Sequence, residues 1–183
     1  MIVVLMGVSG SGKTTVGKVL AERLSWQFVD ADDFHPAANV EKMQRGSPLT
    51  TEDRWPWLHS LREYIDAVVE RGEDLVLACS ALSHDYREYL TADNSKHVRY
   101  VYLKGSKELI AKRLEERRGH FMPSSLLHSQ FEVLEPPQDA LRMDIAPDPA
   151  TIAERIIHAL KLEGMARLTL PASVSSVARR SRQ

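Results

Sequence analysis

Disulfide chemistry is closed to this chain. It has a single cysteine, Cys79, so no intrachain bridge forms, and a reducing compartment is the expectation. Cys79 lies in the apolar stretch "LVLACSAL" and reads as a buried thiol, not a reactive one. Long apolar runs are missing as well. None approaches the ~18 residues of a membrane span. The opening "MIVVLM" is too short for the apolar region of a signal peptide and has no basic residue ahead of it. A cytoplasmic protein that engages no membrane is expected. Excess charge is also absent: 24 Lys and Arg against 25 Asp and Glu leave a net −1. No global field therefore favours nucleic acid or an anionic membrane, although a local basic cluster for a small anion stays compatible with that balance. There is no internal repeat and no low-complexity linker. The 183 residues, 43% hydrophobic and 27% charged, suit one globular domain with a full core.

What is present is an alternation of short apolar runs and amphipathic segments, the pattern of stacked βαβ units. The runs are 1–6, 26–30, 74–79, 98–103 and, more weakly, 141–146. Apolar runs without strict alternation suit parallel strands covered on both faces. Between them the spacing turns helical. Val16, Leu20 and Leu24 share one stripe, and Leu58, Leu61, Ile65 and Val68 another. Later helices are expected over 106–118 and 150–162. This predicts an α/β, three-layer fold with a five-stranded, mainly parallel sheet flanked by helices. Two stretches, 33–56 and 119–138, interrupt the alternation after strands two and four, where α/β proteins place their binding surfaces. The Ser-, Ala- and Arg-rich residues 164–183 are expected to form a disordered basic tail, which puts the domain at 1–163.

"GVSGSGKT" fills the pattern G-x-x-x-x-G-K-[ST] between an apolar strand and an amphipathic helix, the context that this phosphate-binding loop requires. Gly7, Val8, Ser9, Gly10, Ser11 and Gly12, with Lys13, Thr14 and Thr15 opening the helix, are the expected ATP-binding residues. Backbone N–H groups and the helix N-terminus cradle phosphates. Lys13 reaches the β- and γ-phosphates, and the Thr14 hydroxyl is a ligand for Mg²⁺. The ion also calls for a carboxylate near the loop. The stretch "LVLACSAL" of the third run offers none, which leaves Asp30, Asp32 and Asp33 at and after the end of the second run and Asp144 in the fifth. Asp30 is best placed for Mg²⁺. Asp32, one step further out, is placed to accept a proton from an alcohol. Asp33 reads as a solvated turn residue.

The stretch 33–56 mixes His35, Asn39, Lys42 and Arg54 with two tryptophans and several prolines. That composition suits a small anionic molecule, and it suits a surface helical hairpin with solvated charges equally well. Nucleic-acid binding would favour a longer basic stripe with stacking aromatics. Near 119–138, Arg113 and Arg117 stand four apart at the end of a helix. Arginines there either neutralise transferring phosphate under a closing lid or merely favour the helix dipole.

Taken together, "GVSGSGKT", "DADDFHP" with "NVEKM", "GSPLTTEDRWPWL", "CSAL…YR", "YLKG", "RRGHFM" and "QFEVLEPP" resemble the thermoresistant-type gluconate kinases of the shikimate- and nucleoside-monophosphate-kinase-like P-loop group. The resemblance runs from about Val3 to Leu160. It implies ATP- and Mg²⁺-dependent phosphorylation of D-gluconate at its 6-hydroxyl, within carbohydrate-acid catabolism, by a homodimer. It also implies Asp30 for Mg²⁺ and Asp32 for the substrate hydroxyl, with His35, Lys42, Arg54, Arg87 and Ser80 facing the sugar acid. Arg117 would serve the lid and Arg113 the nucleotide side. Two rival readings remain at this stage. One is a kinase of the same group for another sugar acid or shikimate. The other is a regulatory P-loop ATPase. A GTPase is disfavoured because no N-K-x-D segment is present.

Overall fold

The first apolar run supplies the spine of the molecule. Ile2–Met6 form strand β1, and all five residues are buried. In this computed structural model, which describes residues 1–116 and 127–164, β1 is the middle strand of a five-stranded sheet. The other strands are Gln27–Asp30 (β2), Leu75–Ala78 (β3), Val98–Lys104 (β4) and Leu141–Asp144 (β5). Their order is β2-β3-β1-β4-β5, and every pairing is parallel. Successive side chains leave a strand on opposite faces. Thus Val3 and Leu5 join one buried cluster while Ile2, Val4 and Met6 join the other. A strand that feeds two cores has no polar face, which is why the run reads as continuously apolar.

Helices cover both faces. The first cluster packs β1 against α1 (Lys13–Leu24), α5 (Lys107–Glu116) and α7 (Pro149–Leu160). The second packs it against α3 (Thr51–Glu70) and α4 (His84–Thr91). Burial of each large side chain in these clusters is worth about 1.5–3 kcal/mol, so the sheet holds its register from both sides. Helix α1 lies close to β2 at Gly17, where an added Cβ would come within 2.5 Å of the Phe28 ring and 3.3 Å of Leu5. Gly17→Ala is therefore expected to lower the unfolding free energy by about 1–3 kcal/mol through overpacking. A denaturant midpoint equal to that of the parent chain would contradict this.

Over the described residues the expected strands and helices are present, the helix expected over 106–118 being seen as Lys107–Glu116 and that over 150–162 as Pro149–Leu160, and one boundary is displaced further. Helix α3 starts at Thr51, seven residues ahead of the first residue of its apolar stripe, and carries Pro56 inside it. Its N-terminus is set by a capping box: Thr50 Oγ1 accepts from the Asp53 N–H at 3.2 Å, and the Asp53 carboxylate accepts from the Thr50 N–H at 2.7 Å. With α2 (Ala37–Gln44) ahead of it, the stretch 33–56 is a short 3₁₀ turn and two helical segments. Residues 127–138 of the expected lid contain α6 (Leu127–Val133). Its earlier part, together with Arg117, lies outside the described residues, as do residues 165–183 of the expected tail.

Candidate active site

The turn after β1 contains three glycines with positive φ: Gly7 at 141°, Gly10 at 80° and Gly12 at 92°. At Gly10 a Cβ would also approach Leu114 Cγ to 2.9 Å. The loop thus packs against α5 with no room for a side chain. Gly12 caps α1 without a side-chain hydrogen bond, and the first turn of the helix contains no acidic residue. The N-terminal N–H groups therefore face the cavity in front of them with their positive partial charge uncompensated. Lys13 bends back over the loop, its Nζ donating to Gly7 O at 3.0 Å and Val8 O at 3.2 Å.

Two cavities open at the carboxyl ends of the strands. The larger, about 260 Å³, is lined by Ser9 through Val16, Asp30, Asp32 and Arg113, together with Pro147, Pro149 and Ile152. Arg113 is oriented by a 2.8 Å hydrogen bond from Nη2 to Ile145 O. The Thr14 hydroxyl donates to Asp30 Oδ2 at 2.7 Å, and the Asp32 N–H donates to Asp30 Oδ1 at 3.2 Å. Asp30, the last residue of β2, thus fixes both the start of α1 and the turn that presents Asp32. Asp33 is exposed and lines neither cavity.

The smaller cavity, about 80 Å³, contains Asp32, His35, Arg54 and Ser80 together with Trp57, Tyr86 and Gln130. Ser9, Lys13 and Asp32 belong to both cavities and form their common wall. His35 stacks on Trp57, ring centroids 4.5 Å apart and 12° from parallel. The Trp57 indole N–H is itself held by Ala31 O at 2.7 Å. Burial, assisted by the Arg54 charge, pulls His35 down to about 4. His35 is therefore a neutral ring at ordinary pH, suited to a hydroxyl group and not to pairing with a carboxylate. Arg54 brings a permanent charge, its guanidinium 5.8 Å from the centre of the Tyr86 ring.

The low value for His35 has a consequence for stability. Its folded-state pKa lies below the 6.5 of the unfolded chain, so the unfolded state takes up the proton first. Stability is full above about pH 6.5 and falls as pH drops towards about 4. His35→Gln is expected to flatten that limb. Denaturant midpoints measured across the window in both proteins provide the check, and parallel acid limbs would refute it.

Two residues expected at the sugar acid lie elsewhere. Lys42 on α2 forms a salt bridge with the capping carboxylate of Asp53, which the Lys42 ammonium and the Thr50 N–H hold down at about 2. Buried Asn39 adds a 2.6 Å bond to Asp53 O. The α2 helix is thereby clasped to the turn of α3 that carries Arg54. Arg87 is buried, and its Nη1 donates to Ala81 O at 2.9 Å and Leu82 O at 3.0 Å, bracing the loop after β3 from behind. Neither residue lines the smaller cavity. A basic residue that holds a carbonyl or a cap has the same one-letter signature as one that holds a substrate, so sequence alone does not separate the two. Sequence reasoning assigned no role to Trp57, Tyr86 or Gln130. The aromatic pair 55–57 and the motif "QFEVLEPP" were the available signals.

A family model described as an AAA domain matches residues 2–137. The chain is 45% identical to the thermosensitive gluconokinase of Escherichia coli K12 over 86% of this chain and 86% of that one. It is 39% identical to the thermoresistant gluconokinase of the same organism, over 87% and 93%. The crystal structure of a gluconokinase from Sinorhizobium meliloti 1021 superposes with a TM-score of 0.75 at 40% identity, covering 87% of this chain and 94% of that one. A parallel sheet with a glycine-rich phosphate loop at its centre, a second cavity beside that loop and this degree of identity lead to one conclusion: the chain belongs to the gluconokinase family of P-loop kinases.

Proposed function

We propose that the chain transfers the γ-phosphate of ATP to the 6-hydroxyl of D-gluconate, giving 6-phospho-D-gluconate and ADP. The observation that carries this reading is the common wall of the two cavities. Ser9, Lys13 and Asp32 stand where a phosphoryl group leaving the larger cavity enters the smaller one. The acceptor oxygen attacks the γ-phosphorus as the bond to the β-bridging oxygen breaks, and Asp32 takes the hydroxyl proton. Lys13 and Arg113 balance the phosphate charge, and Arg117 is assigned to the same task. Arg54 pairs with the sugar-acid carboxylate, while neutral His35 and Ser80 accept or donate to its hydroxyls. Lys42 and Arg87 act one layer out, through Asp53 and the loop after β3.

Magnesium fits the oxygen donors that Thr14 and Asp30 bring together, since Mg²⁺ takes one or two protein oxygens and completes its shell with water and phosphate. When bound it supplies positive charge at the phosphates. In this reading the enzyme is a cytoplasmic homodimer in carbohydrate-acid catabolism, organised as a kinase domain over 1–163 followed by a tail. Among the described residues no helix is long and apolar enough to cross a membrane, and the lone thiol is buried. Light scattering of the purified protein reports the subunit number. The decisive assay is ADP release with Mg-ATP alone, with D-gluconate, and with gluconate epimers, shikimate or AMP. Stimulation by gluconate is expected. Its absence alongside stimulation by another acceptor would reassign the substrate, and no stimulation by any of them would overturn the kinase reading.

A further inference from the structure

Gln130 on α6 reaches the wall that the two cavities share. Ser9 N–H donates to its Oε1 at 2.7 Å, and its Nε2 donates to Ser9 Oγ at 3.0 Å. A carboxamide presents one donor and one acceptor side by side in a plane, a combination that a carboxylate or an ammonium lacks. Here that combination reads a backbone N–H and a hydroxyl of a single phosphate-loop residue, 121 positions away in sequence. The segment that follows is tied to the opposite wall. Glu135 N–H donates to Leu82 O at 2.9 Å, and the Glu135 carboxylate accepts from His84 N–H at the start of α4. Helix α6 and its outgoing chain therefore bridge the phosphate loop and the far side of the acceptor cavity, with Ser129, Gln130 and Val133 in the lining.

We propose that Gln130 is a positioning residue that makes phosphoryl transfer depend on the acceptor. It holds Ser9 at the common wall, sets the phosphate loop against the acceptor cavity, and fills the space from which water would attack. This rests on the gluconate kinase reading above. The side reaction it suppresses is hydrolysis: a water oxygen bonds to the γ-phosphorus, the bond to the β-bridging oxygen breaks, and ADP and phosphate leave as the water proton passes to solvent. Truncating the side chain at Cβ removes its carboxamide and one methylene, room for at least one water of about 30 Å³.

Two substitutions separate the bonds from the bulk. Gln130→Met keeps length and helix propensity and loses both hydrogen bonds to Ser9, while Gln130→Ala also opens the space. Both are expected to lower gluconate-stimulated kcat by about tenfold or more, with KM for gluconate changed by less than about threefold. Gln130→Ala is also expected to raise the absolute rate of gluconate-independent ADP formation. Ser9→Ala, which leaves the backbone bond to Oε1 in place, should reproduce the kcat effect at smaller size. A kcat for Gln130→Met within about twofold of the parent overturns the proposal. So does a raised KM at unchanged kcat, which would make Gln130 a ground-state binding group. A parallel fall of both rates with a lowered Tm would make its role structural only. The unsubstituted protein is the control for the parent reading: if gluconate fails to stimulate it, that reading falls and this one with it. A stimulated parent enzyme beside an unaltered Gln130→Met removes this inference alone.

Discussion

Lys13→Ala should reduce gluconate-dependent ADP formation by at least about 10²–10³-fold, the loss typical of removing one preorganised group that stabilises developing charge. Lys13 is the first residue of α1 and belongs to both cavities, so its ammonium can follow the γ-phosphate from donor to acceptor. The two carbonyls that hold Nζ, Gly7 O and Val8 O, belong to the loop itself. They keep its charge poised over the loop. Alanine is a good residue at this helical position, so the fold should survive and circular dichroism should match the parent spectrum. Lys13→Arg should not restore activity, because a planar fork does not replace a compact point charge in so confined a place. Residual turnover above about a tenth of the parent rate would remove Lys13 from this role.

The second large effect is expected at Asp32. Asp32→Asn should lower kcat by about 10²–10⁴-fold while leaving ATP affinity nearly unchanged. The two properties separate because the structural bond that Asp32 makes to Asp30 comes from its backbone N–H, which asparagine retains. Asp30 keeps its hold on Thr14 through the other carboxylate oxygen, so the nucleotide side is undisturbed. What asparagine lacks is the capacity to take the proton of the acceptor hydroxyl. Asp33→Asn is the matched control. It lies one residue on, outside both cavities, and is expected to change kcat by less than about twofold. A loss of only a few-fold at Asp32, or equal losses at Asp32 and Asp33, would end the general-base assignment.

The sheet was legible because its central strands β1 and β3, buried on both faces, leave unbroken apolar runs, and the phosphate loop because Gly7 and Gly12, both at positive φ, leave a fixed spacing. The start of α3 was not, because its signal is a pair of polar residues, Thr50 and Asp53, followed by a proline that sequence rules read as a stop. The candidate site divides in the same way. Asp30 ends a strand and Asp32 follows it by two residues, so topology alone places them at the mouth of the sheet. Lys42 and Arg87 come from helices flanking the site, and there the direction of a side chain depends on what it meets across the chain: the Asp53 carboxylate for one, the Ala81 and Leu82 carbonyls for the other. Gln130 shows the limit most clearly. It bonds Ser9, and nothing local to residue 130 marks that pairing.

Cys79 is the only thiol of the chain. It follows directly on β3, and burial pushes it up to about 12. A thiol so placed ignores alkylating reagents while the sheet is closed and reacts once the strands part. Its labelling rate is therefore a built-in clock for the opening of the sheet, at a single known position and without any engineered probe. Because the thiol lies within electrostatic reach of Asp30 and Asp32, nucleotide or acceptor binding that tightens the mouth of the sheet should slow the clock in proportion to occupancy. The same protein then reports its own ligation state through a residue that takes no part in the chemistry.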